Sequence, residues 1–114
     1  MKSLALLCAA MLLLSGCTRR YVDISVRNDS GGPVNTVEVD YPGGSFGKAQ
    51  IAAGQEFHYH FKSLHDGALK LSFSDAAGHI VASDGPAWKE NHSGQVEVVI
   101  VPGGAVKWNS QHSD

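Results

Sequence analysis

The chain has 114 residues, with nine Lys and Arg against eleven Asp and Glu and two cysteines. A chain of this length buries one small core and has no room for a two-domain enzyme with a cleft between its lobes. The net charge of −2, with no basic cluster beyond Arg19-Arg20, excludes nucleic acid as the expected partner.

The N-terminal segment has the order of a secretory signal peptide. Lys2 supplies a positive charge, and the stretch from Leu4 to Leu14 contains no polar side chain. A helix rises about 1.5 Å per residue, so this stretch is too short to cross a hydrocarbon core of about 30 Å. It is therefore predicted to be the apolar region of a signal peptide.

The residues that follow, Leu14-Ser15-Gly16-Cys17, resemble the lipobox of bacterial lipoproteins. The resemblance covers residues 1–18 and implies cleavage before Cys17, a diacylglyceryl thioether on its sulfur and acylation of the new N-terminus, typically with palmitate. Thr18, at the place where Asp would retain an inner-membrane lipoprotein, implies an outer-membrane anchor facing the periplasm. The alternative is an ordinary signal peptide with Cys17 as an incidental thiol.

Loss of residues 1–16 with the signal peptide would also remove Cys8. A lipidated Cys17 then leaves the mature chain without a free thiol, which excludes disulfides and thiolate catalysis. We expect residues 17–20 to form a short tether, residues 21–108 to form one β domain, and residues 109–114 to form a flexible tail.

Beyond Tyr21, apolar and polar residues alternate, which is the period of a β-strand. Clusters of Gly, Pro, Asn and Asp interrupt the alternation and predict turns. Strands are expected, in chain order, at residues 21–27, 37–41, 46–51, 57–61, 69–73, 80–83, 96–101 and 105–108. Residues 84–94 are expected to form a longer connection, and the strand at 96–101 is expected to be central because both of its faces carry valines.

The mature part holds fifteen Val or Ile against three Leu, and no segment keeps apolar residues at helical spacing. The prediction is an all-β fold, a small antiparallel β-sandwich of Ig-like type with seven or eight short strands. In outline the run of strands resembles small Ig-like envelope domains. A small open β-barrel is the alternative.

The most specific candidate site is a pair of histidines, His58 and His60, which alternate with aromatic residues on one predicted strand. Their Cβ atoms should lie about 7 Å apart on one face, so both imidazoles could bind one zinc or copper ion. A third ligand would have to come from a set that the spacing does not resolve: Glu56, His65, Asp66, His79 or His92. The alternative is a solvated sheet face that binds no metal.

Trp88, in the predicted connection, and Trp108, near the C-terminus, either cap the core or contact a protein or glycan partner. Free sheet edges offer a second route to a partner by strand addition. Gly43-Gly44-Ser45-Phe46-Gly47 has the spacing G-x-S-x-G, but no helix-forming segment follows it, so it is not a nucleophile elbow. The sequence contains no phosphate-binding loop and no H-E-x-x-H motif. The predicted function is therefore a lipid-anchored, non-enzymatic interaction or accessory module of the cell envelope, with a metal-binding or metal-delivery lipoprotein as the alternative.

Overall fold

Eight strands make up most of residues 20–113, the part of the chain described by the computed structural model. The strands are β1 (Val22–Asn28), β2 (Val34–Tyr41), β3 (Gly44–Ile51), β4 (Glu56–Phe61), β5 (Gly67–Ser74), β6 (Ile80–Trp88), β7 (Gly94–Ile100) and β8 (Val106–His112). Within this range no helix is present that could cross a membrane. The predicted signal peptide (residues 1–16), Cys17 and Thr18 lie outside the described residues.

The strands form two four-stranded sheets. Sheet A has the order β4-β1-β7-β8, and sheet B has the order β3-β2-β5-β6. Neighbouring strands are antiparallel except β1 and β7, which run parallel. Parallel neighbours need a crossover between them. Between β1 and β7 the chain forms β2 and β3 of sheet B, then β4 of sheet A, then β5 and β6 of sheet B.

The core lies between the two sheets, because every strand sends alternate side chains to its inner face. Its buried hydrophobic residues are Val22, Ile24, Val26, Val34, Val37, Val39, Phe46, Ile51, Phe61, Leu69, Leu71, Phe73, Trp88, Val96, Val98 and Ile100. The predicted all-β sandwich is confirmed, and the two sheets stay open instead of closing into the alternative barrel. The central position of β7, between β1 and β8, is confirmed as well. The parallel pairing of β1 with β7 departs from the predicted antiparallel arrangement.

Strand β6 is longer than predicted and includes residues 84–88, which were expected to belong to a connection. The strand continues because a register shift places Gly85 and Pro86 opposite a single residue of β5, Leu69. Pro86 cannot donate a ladder hydrogen bond, and β6 is an edge strand with a bulge, where proline is tolerated.

Strand β8 also extends further than predicted, and it corrects the expected tail at residues 109–114. Residues 109–112 pair with β7, ending with Gly94 opposite His112. Their polar side chains show no strong alternation, so the pairing depends on the neighbouring strand and not on local preference. The β domain therefore continues to His112.

The turn between β5 and β6 is held by one carboxylate. Oδ1 of Asp75 accepts hydrogen bonds from the amides of Ala77 (3.0 Å) and His79 (2.8 Å). The hydrogen bond from the His79 amide is the main cause that holds the pKa of Asp75 below its usual value, and desolvation opposes it. Because the folded pKa is lowered, this interaction stabilises the fold at neutral pH and is lost as pH falls through that lowered pKa.

Candidate functional site

A shallow polar groove of about 480 Å³ crosses the outer face of sheet A. It lies on the face opposite the core, where β4, β1, β7 and β8 expose their polar residues. The groove arises from the sheet itself, because a twisted four-stranded sheet is not flat. All four strands contribute side chains to it.

The strand register arranges the polar side chains of the groove in two rows. The first row, from β4 to β8, is His60, Asp23, Gln95 and Gln111, and the second is His58, Ser25, Glu97 and Asn109. Neighbouring strands lie about 4.8 Å apart, so each row is about 14 Å long. The two rows are two residues apart along each strand, which is about 7 Å.

The groove combines donors and acceptors of hydrogen bonds. The carboxamides of Gln95, Asn109 and Gln111 can do both, while the carboxylates of Asp23 and Glu97 accept. At the β4 end, the ring of Tyr21 meets the ring of His60 edge-on, with centroids 5.3 Å apart. This surface suits recognition of a polar partner by many hydrogen bonds.

His58 and His60 share the outer face of β4, as the alternation predicts, and both are exposed. Nε2 of His58 lies 3.7 Å from Oε1 of Glu56, and His60 pairs directly with Asp23 on β1. Even so, among residues 20–113 no three His, Asp or Glu side chains are grouped so that they could hold one metal ion. The pair therefore has carboxylate neighbours but no assembled metal centre.

The proposed third ligands are mostly engaged elsewhere. Nδ1 of His65 lies 3.0 Å from the carbonyl of Asp66, and Asp66 accepts a hydrogen bond from the amide of Glu90. His79 contacts Asp75 in the β5–β6 turn, and the ring of His92 meets the ring of His112 edge-on, with centroids 6.5 Å apart. Of the five candidates, only Glu56 is in contact with the histidine pair.

The two tryptophans differ in position. Trp88 is 1% exposed, its Nε1 donates to the carbonyl of His92 (2.9 Å), and its ring stacks on His112 with centroids 4.1 Å apart. Trp108 is partly buried against the core, and its Nε1 donates to Oγ of Ser83. Trp88 therefore takes the first of its two predicted roles and caps the core. Trp108 keeps part of its side chain exposed, and its role as a partner contact stays a prediction.

Sequence reasoning did not find six of the eight residues in the two rows: Asp23, Ser25, Gln95, Glu97, Asn109 and Gln111. The alternation of β7 places Gln95 and Glu97 on its outer face, but nothing local indicates that β7 lies beside β1. Ser25 pairs with Glu97, far along the chain, across the parallel ladder. The groove residues come together only because of the order of the strands in sheet A.

No family model matches the chain. No curated protein matches it either. Among solved structures, the chain is similar to a protein from Eubacterium rectale determined by NMR, with a TM-score of 0.58 and 9% sequence identity. The similarity covers 80% of this chain and 88% of that one. At this identity the likeness extends to the fold alone, so function has to be argued from the groove and from the sequence.

Proposed function

We propose that the chain is a lipid-anchored lipoprotein of the outer membrane that faces the periplasm and serves as a non-enzymatic interaction module of the cell envelope. The observation that carries this proposal is the polar groove on sheet A. It presents exposed hydrogen-bonding side chains from four strands, a surface suited to binding a partner.

The lipobox-like segment supplies the anchor in this proposal. Val22, the first residue of β1, is five residues after Cys17. Two or more acyl chains hold a protein stably on a membrane, whereas one chain binds reversibly. A domain with this tether would present its groove close to the membrane, where an envelope partner could reach it.

The anchor is tested by the variant Cys17→Ser, expressed in a bacterium that processes lipoproteins. We expect the wild-type chain in the membrane fraction and the variant in the soluble or precursor fraction, because serine has no thiol to carry the diacylglyceryl group. Mass spectrometry of the wild-type chain should show the added lipid. An unchanged membrane fraction for Cys17→Ser would refute the anchor.

The interaction surface is tested in the same cells with a photo-crosslinking amino acid. One chain carries it at Gln95, in the middle of the groove, and a matched chain carries it at Lys70, on the outer face of sheet B. A discrete crosslinked product is expected from position 95 and not from position 70. Equal products at both positions, or none at 95, would count against the groove as the binding surface.

The second candidate function is metal binding or delivery by His58 and His60. The contact of 3.7 Å between His58 and Glu56 favours it, because a carboxylate beside two imidazoles is a usual zinc ligand set. No third ligand is assembled among residues 20–113, so we expect zinc and copper to bind with a Kd weaker than ~0.1 mM.

Calorimetric titration of the purified chain with each metal measures this Kd. The control is the double variant in which His58 and His60 are both alanine. Binding much tighter than that limit, abolished in the double variant, would establish the metal function instead.

A further inference from the structure

We infer that the end of the sandwich at which β1 begins rests on the bilayer surface, with the Leu64 side chain in the lipid headgroup region. This inference deepens the proposed function and depends on its anchor at Cys17. It adds a contact surface and a partner, namely a phospholipid bilayer.

The length of the tether limits the orientation of the domain. Five residue steps separate Cys17 from Val22, and a fully extended chain of that length spans about 17 Å. β1 itself is about 20 Å long. A lipid on Cys17 therefore keeps the start of β1 near the bilayer, while turns at the other end can lie a full strand length further away.

Three segments meet at this end of the sandwich and are joined by hydrogen bonds. The amide of Leu64 donates to the carbonyl of Pro42 (3.0 Å), and the amide of Asn91 donates to the carbonyl of Ser63 (2.8 Å). The amide of Glu90 donates to Oδ1 of Asp66 (2.8 Å). We call these segments, residues 42–43, 62–66 and 89–92, the end platform.

The end platform exposes an apolar side chain that its backbone holds in place. Leu64 is 53% exposed, and its side chain lies over Gly43. A Cβ on Gly43 would approach Cβ of Leu64 to 2.6 Å, so the glycine leaves the space that Leu64 occupies. Tyr21, where the tether enters the domain, is 39% exposed at the same end.

The end platform carries exposed charges of both signs, Lys62 and Lys89 against Asp66 and Glu90. The lysine ammonium groups can contact phospholipid phosphates while their stems stay close to apolar surface. Because these four charges cancel, contact with lipid depends mainly on Leu64, an apolar side chain that can enter the headgroup layer.

The opposite end provides a matched control. Ile80 is 83% exposed beside the β5–β6 turn, far from the tether, so exposure alone does not mark the surface that faces lipid. Of the two exposed aliphatic side chains Leu64 and Ile80, Leu64 lies at the tethered end. The inference therefore predicts different behaviour for two exposed aliphatic side chains of the same domain.

The test is NMR on the ¹⁵N-labelled mature chain, residues 17–114, coupled through Cys17 to a maleimide lipid. The lipid is in nanodiscs of phosphatidylethanolamine and phosphatidylglycerol that also contain a headgroup spin label. We expect amide signals of residues 62–66 and 89–92 to be lost by paramagnetic broadening. Signals of residues 29–33 and 75–79, at the other end, should remain.

Leu64→Asn should restore the signals of residues 62–66, whereas Ile80→Asn should leave the wild-type pattern unchanged. Equal broadening at both ends, or a wild-type pattern in Leu64→Asn, would overturn the inference. The chemical coupling makes this result independent of lipidation in the cell, which the mass of the cellular protein decides separately. A failure of the anchor and a failure of the orientation are thus distinguishable.

Discussion

Asn28→Asp is expected to destabilise the fold by about 3–5 kcal/mol at pH 7, the usual cost of an uncompensated charge in a protein interior. The change replaces one amide nitrogen by oxygen and keeps the shape of the side chain. Asn28 is fully buried at the end of β1, so water cannot compensate for what the substitution removes.

The reason lies in the hydrogen bonds of the Asn28 side chain. Its Nδ2 donates to the carbonyls of Gly32 (2.8 Å) and Ile51 (2.9 Å), and its Oδ1 accepts from the amide and the hydroxyl of Ser30. A carboxylate would still accept from Ser30 but would face the two carbonyl oxygens without a hydrogen to donate. In the wild type, the hydrogen bonds of Asn28 join the β1–β2 loop to the end of β3.

The pH dependence of this variant has a definite sign. Burial and the two carbonyl oxygens raise the pKa of the introduced carboxyl in the folded state above its unfolded value of about 3.9. The protonated form can donate one hydrogen bond. The loss of stability relative to the wild type is therefore smallest at low pH and grows as pH rises through the raised folded pKa.

Urea unfolding of the wild type and the variant at pH 7 and pH 4 should therefore show a larger difference at pH 7. Gln111→Glu, also a change from amide to carboxylate but at an exposed position of β8 opposite the neutral Gln95, is the control and should change stability by less than about 0.5 kcal/mol. An equally small loss of stability for Asn28→Asp would contradict the role of the Asn28 hydrogen bonds in stabilising the fold.

Trp88→Ala should cost about 3–5 kcal/mol, because it removes a large side chain from a site that cannot collapse around the cavity. The indole is buried and packs between the ring of His112 and the backbone at Gly94. Gly94 has no side chain, and a Cβ there would meet both Trp88 and the carbonyl of Gln111. The start of β7 and the end of β8 therefore leave a space that the indole of Trp88 fills.

Urea unfolding followed by far-UV circular dichroism measures this loss. A small domain has a total stability of about 5–15 kcal/mol, so this loss should remove between about a fifth and all of it. Trp108→Ala, which truncates a partly buried indole, is the control and should cost clearly less. Equal losses for the two variants would show that Trp88 does not close the core.

Sequence patterns predicted features that depend on neighbours along the chain. The alternation in β4 placed His58 and His60 on one outer face, and the valines on both faces of β7 indicated a central strand. Features that depend on distant strands were missed. The parallel neighbours β1 and β7, and the groove that they build with β4 and β8, follow from pairing and not from local pattern.

Single residues also show that the sequence does not predict contacts between distant segments. The first predicted strand ends at residue 27, and nothing in the sequence predicts that Asn28 is buried, because its side chain bonds Ile51, which lies far along the chain. Trp88 could have capped the core or faced a partner, and only the packing of β6 against the end of β8 decides between them. The polar residues at the end of β8 do not alternate with apolar ones, so the sequence does not predict a strand there. They form a strand because they pair with β7.

The central place of β1 in sheet A also determines how the domain resists mechanical force. In the proposed lipoprotein the tether enters directly at β1, which is hydrogen-bonded along its length to β4 on one side and to β7 on the other. A pull along β1 against the rest of the domain loads both ladders in shear, so their hydrogen bonds must break together. An edge strand pulled sideways would instead open one bond at a time. If the chain is anchored at Cys17, as proposed, the domain can therefore bear tension between that anchor and anything bound to its surface.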